Sequence, residues 1–181
     1  MTGHEARGEV ALTLEDLREV AAFAATCAQD VLGTFEQLHP GDSRPRDAIE
    51  EARAFARGGR RGKALRDTAW AALRAAGEAG TEAAEHAARA AMSAASAAYL
   101  HPLADPHQVK HVLGAAAHAA RATELVAGDD PDAAARSLRE AARRATPLVV
   151  DVLRRYPAAP PGGGRVGELL RILDQALRSR D

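Results

Sequence analysis

Aromatic side chains are nearly missing from this chain, with three Phe, two Tyr and one Trp among 181 residues. Strands favour aromatic and β-branched residues, so this scarcity argues against a sheet. A lone cysteine, Cys27, excludes a disulfide within the chain. No basic stripe is present either. The 24 Lys and Arg are balanced by 25 Asp and Glu, the signs are interspersed and the net charge is −1, which argues against a nucleic-acid partner. Neither a signal peptide nor an 18-residue apolar run is evident, which points away from the membrane and toward the cytoplasm. A glycine-rich phosphate loop is also absent, because the Pro-Pro-Gly-Gly-Gly run ending at Gly164 follows no strand and reads as a linker.

Alanine, the best helix former, makes up about a quarter of the chain. Together with the length, this predicts an all-α single domain with a core of Leu, Val and Ala. Each small side chain buries little apolar area, so the stability contributed per residue is modest. Almost all of the basic residues are arginine, as a GC-rich genome would encode.

Periodicity predicts about seven helices arranged as antiparallel hairpins. Met1 to Leu12 read as a flexible lead-in, residues 13–156 as the bundle, 157–164 as a mobile Pro/Gly linker and 165–181 as a C-terminal amphipathic helix. Helix one is expected over Leu14 to Leu38, opened by a weak capping box of Thr13 and Asp16. Its buried stripe runs Leu14, Leu17, Ala21, Ala24, Ala28, Val31, Phe35, Leu38. Pro40-Gly41 ends it, and Pro45 opens the second helix where a missing N–H is harmless. Trp70 and Leu73 mark the third. A hairpin follows, from Thr81 to Leu100 and from Pro106 to Ala127. Asp130-Pro131 opens the next helix, which Thr146-Pro147 kinks or restarts. On the last helix Leu169, Leu170, Leu173 and Leu177 form a stripe that needs the bundle or a partner, a second copy included.

The polar residues of the hairpin recur with helical spacing. Glu82, His86, Arg89, Ser93 and Ser96 lie within about 80° on one helix, as do His107, His111, Gly114, His118 and Arg121 on the other. Such stripes suit a solvated face, but three histidines without a carboxylate on one stripe also suit a polar cleft. In an antiparallel hairpin His86 falls level with His118 and Arg121, and Ser96 near His107. A third reading is a divalent transition metal on His107, His111 and His118. No second copy of a Glu-x-x-His motif supports a di-iron bundle. Cys27, among Ala and Phe, reads as a buried inert thiol.

A further cluster lies at the first corner, with Asp30, Glu36, Arg44, Arg46, Glu50 and Arg53. An arginine beside a carboxylate on a neighbouring helix fixes the angle between them, the reading for Arg53 with Glu50 or Glu36. Asp30 sits opposite the leucine stripe, beside Phe23 and Cys27, and needs a partner if buried, with Arg44 and Arg46 nearest in sequence. The cleft is expected to gather His86, Arg89, His107, His111 and His118 together with Asp30 or an arginine of the 44–46 corner.

This corner, "CAQDVLGTFEQLHPGDSRPRDAIEEARAFARG", followed by a Trp/Ala helix and histidine-bearing Ala helices, resembles the all-helical immunity-protein-five-like family of bacterial toxin systems. Actinobacterial proteins misdescribed as exonuclease subunits are among its members. The resemblance covers Leu12 to Leu125 and leaves out the chain from Asp129 onward. It implies a cytoplasmic helical protein that binds and neutralises a toxin without catalysis and needs no cofactor. His86, Arg89, His101, His107, His111 and His118 are the positions that fill the family's arginine and histidine pattern. Where the family often reads Gly-His, this chain has Ala91-Met92-Ser93, so that histidine's role is not carried over. The competing reading is a small-molecule-binding or metal-dependent helical enzyme of bacterial secondary metabolism, with the His/Arg/Asp cleft as its site.

Overall fold

Residues 8–180 are described by the computed structural model, and among them every regular element is helical. Thr13 caps α1 (Leu14–Gln29) reciprocally with Asp16, whose N–H donates to Thr13 Oγ1 at 3.1 Å while its carboxylate accepts the Thr13 N–H at 2.8 Å. Helix α1 is a central element, packed against α3 (Arg44–Ala56), α5 (Glu82–Ser96), α6 (Val109–Val126) and α8 (Pro147–Arg154). It therefore buries Phe23 and Cys27 as well as Leu17, Val20, Ala21, Ala24 and Ala28.

The first predicted helix does not run unbroken to Leu38. It stops at Asp30, and a tight turn closed by Val31 N–H to Ala28 C=O leads into α2 (Leu32–Glu36). On one straight helix Val31 and Leu32 would point about 100° apart. The turn lets both enter the core with Phe35, while the ends of the predicted stripe, Leu14 and Leu38, are about half exposed. The predicted sixth helix is likewise divided, since Thr146 caps a new helix at Pro147. These two divisions turn the seven expected helices into nine α-helices among the described residues.

Local chemistry sets the remaining boundaries. Pro45 occupies the first turn of α3. Thr81, Asp130 and Thr146 cap α5, α7 (Pro131–Arg144) and α8 with side-chain oxygens. Helix α4 (Lys63–Gly77) joins α3 to α5. Along α5, which lies between α4 and α6, Ala84, Ala87, Ala88, Ala91, Ala94 and Ala95 are fully buried, and α6 answers with Ala117, Ala120 and Ala122. Alanine ridges let these backbones approach closely. At Gly114 even a Cβ would stand 3.4 Å from Ser93 Oγ.

The chain reaches α9 (Gly164–Arg178) through three glycines in the left-handed region, with φ of 92°, 76° and 58° at Gly162, Gly163 and Gly164. Connector carbonyls are held by α9 itself. Arg171 donates to Pro160 and Gly162, Arg178 donates to Tyr156 and Pro157, and the Ala159 N–H donates to Asp174. Leu169, Leu173 and Leu177 are buried against the bundle, Leu170 partly so; each full burial contributes about 2 kcal/mol. At the other end residues 1–7 of the predicted lead-in lie outside the described part. From Gly8 the chain runs beside the 102–104 loop, with Val10 buried and its N–H bonded to the Pro102 carbonyl. Among the described residues no helix is long and apolar enough to cross a membrane.

Candidate functional site

The polar stripes of α5 and α6 meet at mid-hairpin. His86 Nδ1 lies 3.0 Å from His118 Nδ1, with the rings stacked at 5.2 Å between centroids and 28° between planes. Two facing ring nitrogens can bond only if one carries the proton and the other offers a lone pair. Burial, reinforced by the positive charges of His86 and Arg89, pushes the His118 pKa down to about 3. Burial also lowers His86 and outweighs the raising effect of Glu85 and Glu82. The pair is therefore neutral at neutral pH.

One turn away the hairpin is tied to α9. Arg121 donates to Glu82 at 3.0 Å, Glu124 at 2.8 Å and Asp129 at 2.9 Å. Glu124, only 2 % exposed, also accepts from Arg165 of α9, and that guanidinium is the main cause of its lowered pKa. Arg89 pairs with Glu85 at 2.8 Å.

Toward the other end the two helices floor an open trough. One cavity of about 400 Å³ lies between the hairpin and α9, lined by Met92, Ser93, His111, Gly114, His118 and Leu170 among others. Met92, Ser96, Lys110 and His111 are shared with a second cavity of about 450 Å³ that opens toward α4, where Arg66, Trp70, Leu73 and Tyr99 form the wall. Trp70 is 62 % exposed. Burial first, then Lys110, lowers the His111 pKa, against the raising effect of a hydrogen bond to the Ser96 backbone. This end thus offers a neutral imidazole, a free ammonium, a hydroxyl and an apolar floor.

A family model described as Imm-5 like putative immunity protein matches residues 11–147. The chain belongs to this family. No curated protein and no solved structure matches it. The match runs past Leu125 to the first residue of α8, so the immunity-family region contains α4, α5 and α6 and their part of the trough. Arg165, Leu170 and the rest of α9 lie beyond it.

The immunity-family positions and the corner residues are distributed unevenly. His86, Arg89, His111, His118 and Arg121 share the hairpin face. Asp30 does not meet Arg44 or Arg46. It is an exposed residue paired with Arg144 of α7, because the break after α1 turns it outward at the end of the helix. Arg46 instead pairs with Glu36 at 2.6 Å, Arg53 with Glu50 at 2.7 Å, and Arg44 with both Asp42 and Glu78 at 2.6 Å. Arg46–Glu36 and Arg44–Glu78 tie neighbouring segments together away from the hairpin cleft, whereas Arg53–Glu50 lies within α3 and so fixes no angle between helices. His101 is exposed.

His107 parts from His111 because residues 106–108 form a 3-10 turn and α6 begins only at Val109. His107 lines a neighbouring groove beside Pro160, Pro161 and Gly162, which shares Lys110 and Leu170 with the cavity under α9 but does not contain His111 or His118, and Ser96 is accordingly beside His111 rather than His107. Among the described residues no group of three or more His, Cys, Asp or Glu is placed to hold a metal ion, so His107, His111 and His118 do not form a joint ligand set. The Cys27 thiol is pushed up to about 12, chiefly by burial and then by Asp30, against Arg144, which makes it a poor nucleophile.

Sequence reasoning overlooked Arg66, Tyr99, Met92 and Lys110 as trough residues, and Glu124 with Arg165 as the tie to α9. One signal was available. Arg66 and Trp70 are four residues apart, on one side of α4 and opposite the buried Leu65 and Ala72.

Proposed function

We propose that this protein is an immunity-type binding protein that neutralises a toxin in the cytoplasm by occupying it, without catalysis. The observation that carries this reading is membership of the immunity family across residues 11–147. The open trough supports it, because an exposed Trp beside Met92, Leu73 and Tyr99 is a surface of the kind that anchors protein partners. Cells expressing the toxin encoded beside this gene should grow when the protein is co-expressed and die without it. If purified toxin keeps full activity at a molar excess of the protein, the reading is wrong.

A second reading, a small-molecule site or helical enzyme, draws on His111 and His118, held neutral beside Ser93 and Ser96, with His86 against His118. Neutral imidazoles in a cavity of about 400 Å³ suit a small polar ligand. Its metal-dependent form has two neighbouring histidines, His86 and His118, and no third ligand among the described residues.

A further inference from the structure

About half of the arginines in this fold are committed to carboxylates, while Arg57, Arg74 and Arg139, scattered over the surface, make no ion pair among the described residues. Arg44, Arg46, Arg53, Arg89, Arg121, Arg144, Arg155, Arg165 and Arg178 all stand in ion pairs with carboxylates. Arg66 and Lys110 are also uncommitted, and they stand close together. Among the described residues neither makes an ion pair, and no carboxylate stands three or four residues away on its helix. Arg61 donates only to the Ala98 carbonyl at 3.2 Å.

These free cations converge on one place. Arg61 and Arg66 each lie 5.8 Å from the centre of the Tyr99 ring, a distance at which the ring face attracts a cation. Tyr99 and Arg66 form a common wall between the Trp70 cavity and a further cavity of about 410 Å³ toward His101. The Trp70 cavity in turn shares Met92 and His111 with the cavity under α9. Three adjoining cavities thus make one trough crossing α4, the hairpin and α9, and no Asp or Glu lines any of the three; the first carboxylate, Glu9, lines the next cavity beyond Arg61 and Pro102. Its middle is apolar, with Trp70, Leu73 and Met92, and its cations stand around that middle.

We propose that this trough is where the partner docks, and that it receives an extended acidic segment of the partner protein. Carboxylates of that segment would meet Arg61, Arg66 and Lys110, and one apolar or aromatic side chain would cover Trp70. This rests on the immunity reading and gives it a surface and a partner chemistry. The trough continues past Tyr99 at one end and past His111 at the other, so a chain segment fills it better than one compact molecule. A nucleic acid is disfavoured because the chain carries a net charge of −1.

Trp70 is the only tryptophan, so its fluorescence, excited selectively, reports the trough directly. The probe is a random copolymer of Glu and Tyr, compared with a copolymer of Lys and Tyr and with oligothymidylate. Saturable quenching or a spectral shift is expected with the Glu/Tyr copolymer alone. It should weaken about tenfold or more in the double variant Arg66→Glu, Lys110→Glu. Both residues are exposed, so the variant should melt like the parent; if it does not, the Ala pair replaces it. No response from Trp70, an unchanged variant, or equal binding of oligothymidylate would overturn the proposal. A toxin-protection assay separates the two readings. Protection by the parent and equally by the variant defeats the trough and leaves immunity standing. No protection by the parent defeats immunity, and the copolymer titration then decides the trough alone.

Discussion

The α7–α9 side of the molecule and the α4–α6 trough use similar residues in opposite ways. On the first side buried acids are met by arginines. Glu124 is held by Arg121 and Arg165, Asp16 by Arg155, and Asp174 by Arg178, with each acid no more than 3 % exposed. In the trough Arg66 and Lys110 have no carboxylate, and Trp70, the largest side chain, faces solvent. A charge that is buried and paired fixes one arrangement of helices, and removing either partner is costly. An exposed unpaired charge contributes little to folding and is available to something outside. The contrast separates residues that hold the fold from residues left available to the proposed partner.

The largest effect should come from the apolar side of the α9 dock. Leu173→Ala, at a residue 1 % exposed, is expected to cost about 3 kcal/mol by thermal or denaturant unfolding. A loss below about 1 kcal/mol would mean that α9 is not part of the cooperative unit. Glu124→Gln is next, at about 2 kcal/mol, because two arginines lose their carboxylate while remaining partly in water.

Acid should act through the hairpin. The folded-state pKa of His118 lies far below its ordinary 6.5, and those of His86 and His111 are lowered too. For groups held neutral on folding, the unfolded chain binds more protons. Stability is therefore complete above 6.5 and falls as pH drops from 6.5 toward about 3, by at most about 1.4 kcal/mol per pH unit for each histidine. The Glu124 carboxylate, whose pKa is lowered, adds a further loss below 4.5. Melting curves of the parent and His118→Gln across this range should diverge, the variant being less acid-sensitive. The smallest stability effect belongs to Trp70→Ala, within about 0.5 kcal/mol of the parent, although it should abolish toxin protection.

Helix starts were the most legible part of the sequence. Thr13 with Asp16, Pro45 and Asp130-Pro131 each carry the chemistry that opens a helix. The level of His86 with His118 follows from hairpin geometry alone. What periodicity missed were tight turns. Ala28, Val31 and Phe35 keep helical spacing across the break at Asp30, and His107 and His111 keep i, i+4 spacing although a 3-10 turn holds one of them. Partners distant in sequence were also invisible. Asp30 finds Arg144 and Glu124 finds Arg165 because tertiary packing brings α7 and α9 to them. No local spacing encodes those pairs. The trough combines residues of α4, the end of α5 and the turn after it, α6 and α9, so only the packed structure discloses it.

Hydrogen exchange of the protein with and without its toxin tests the division most directly. Slowed exchange on binding is expected over residues 61–73, 92–111 and 163–170, with residues 131–154 unchanged. Protection confined to α7 and α8, with the trough exchanging as it does in the free protein, would contradict this division.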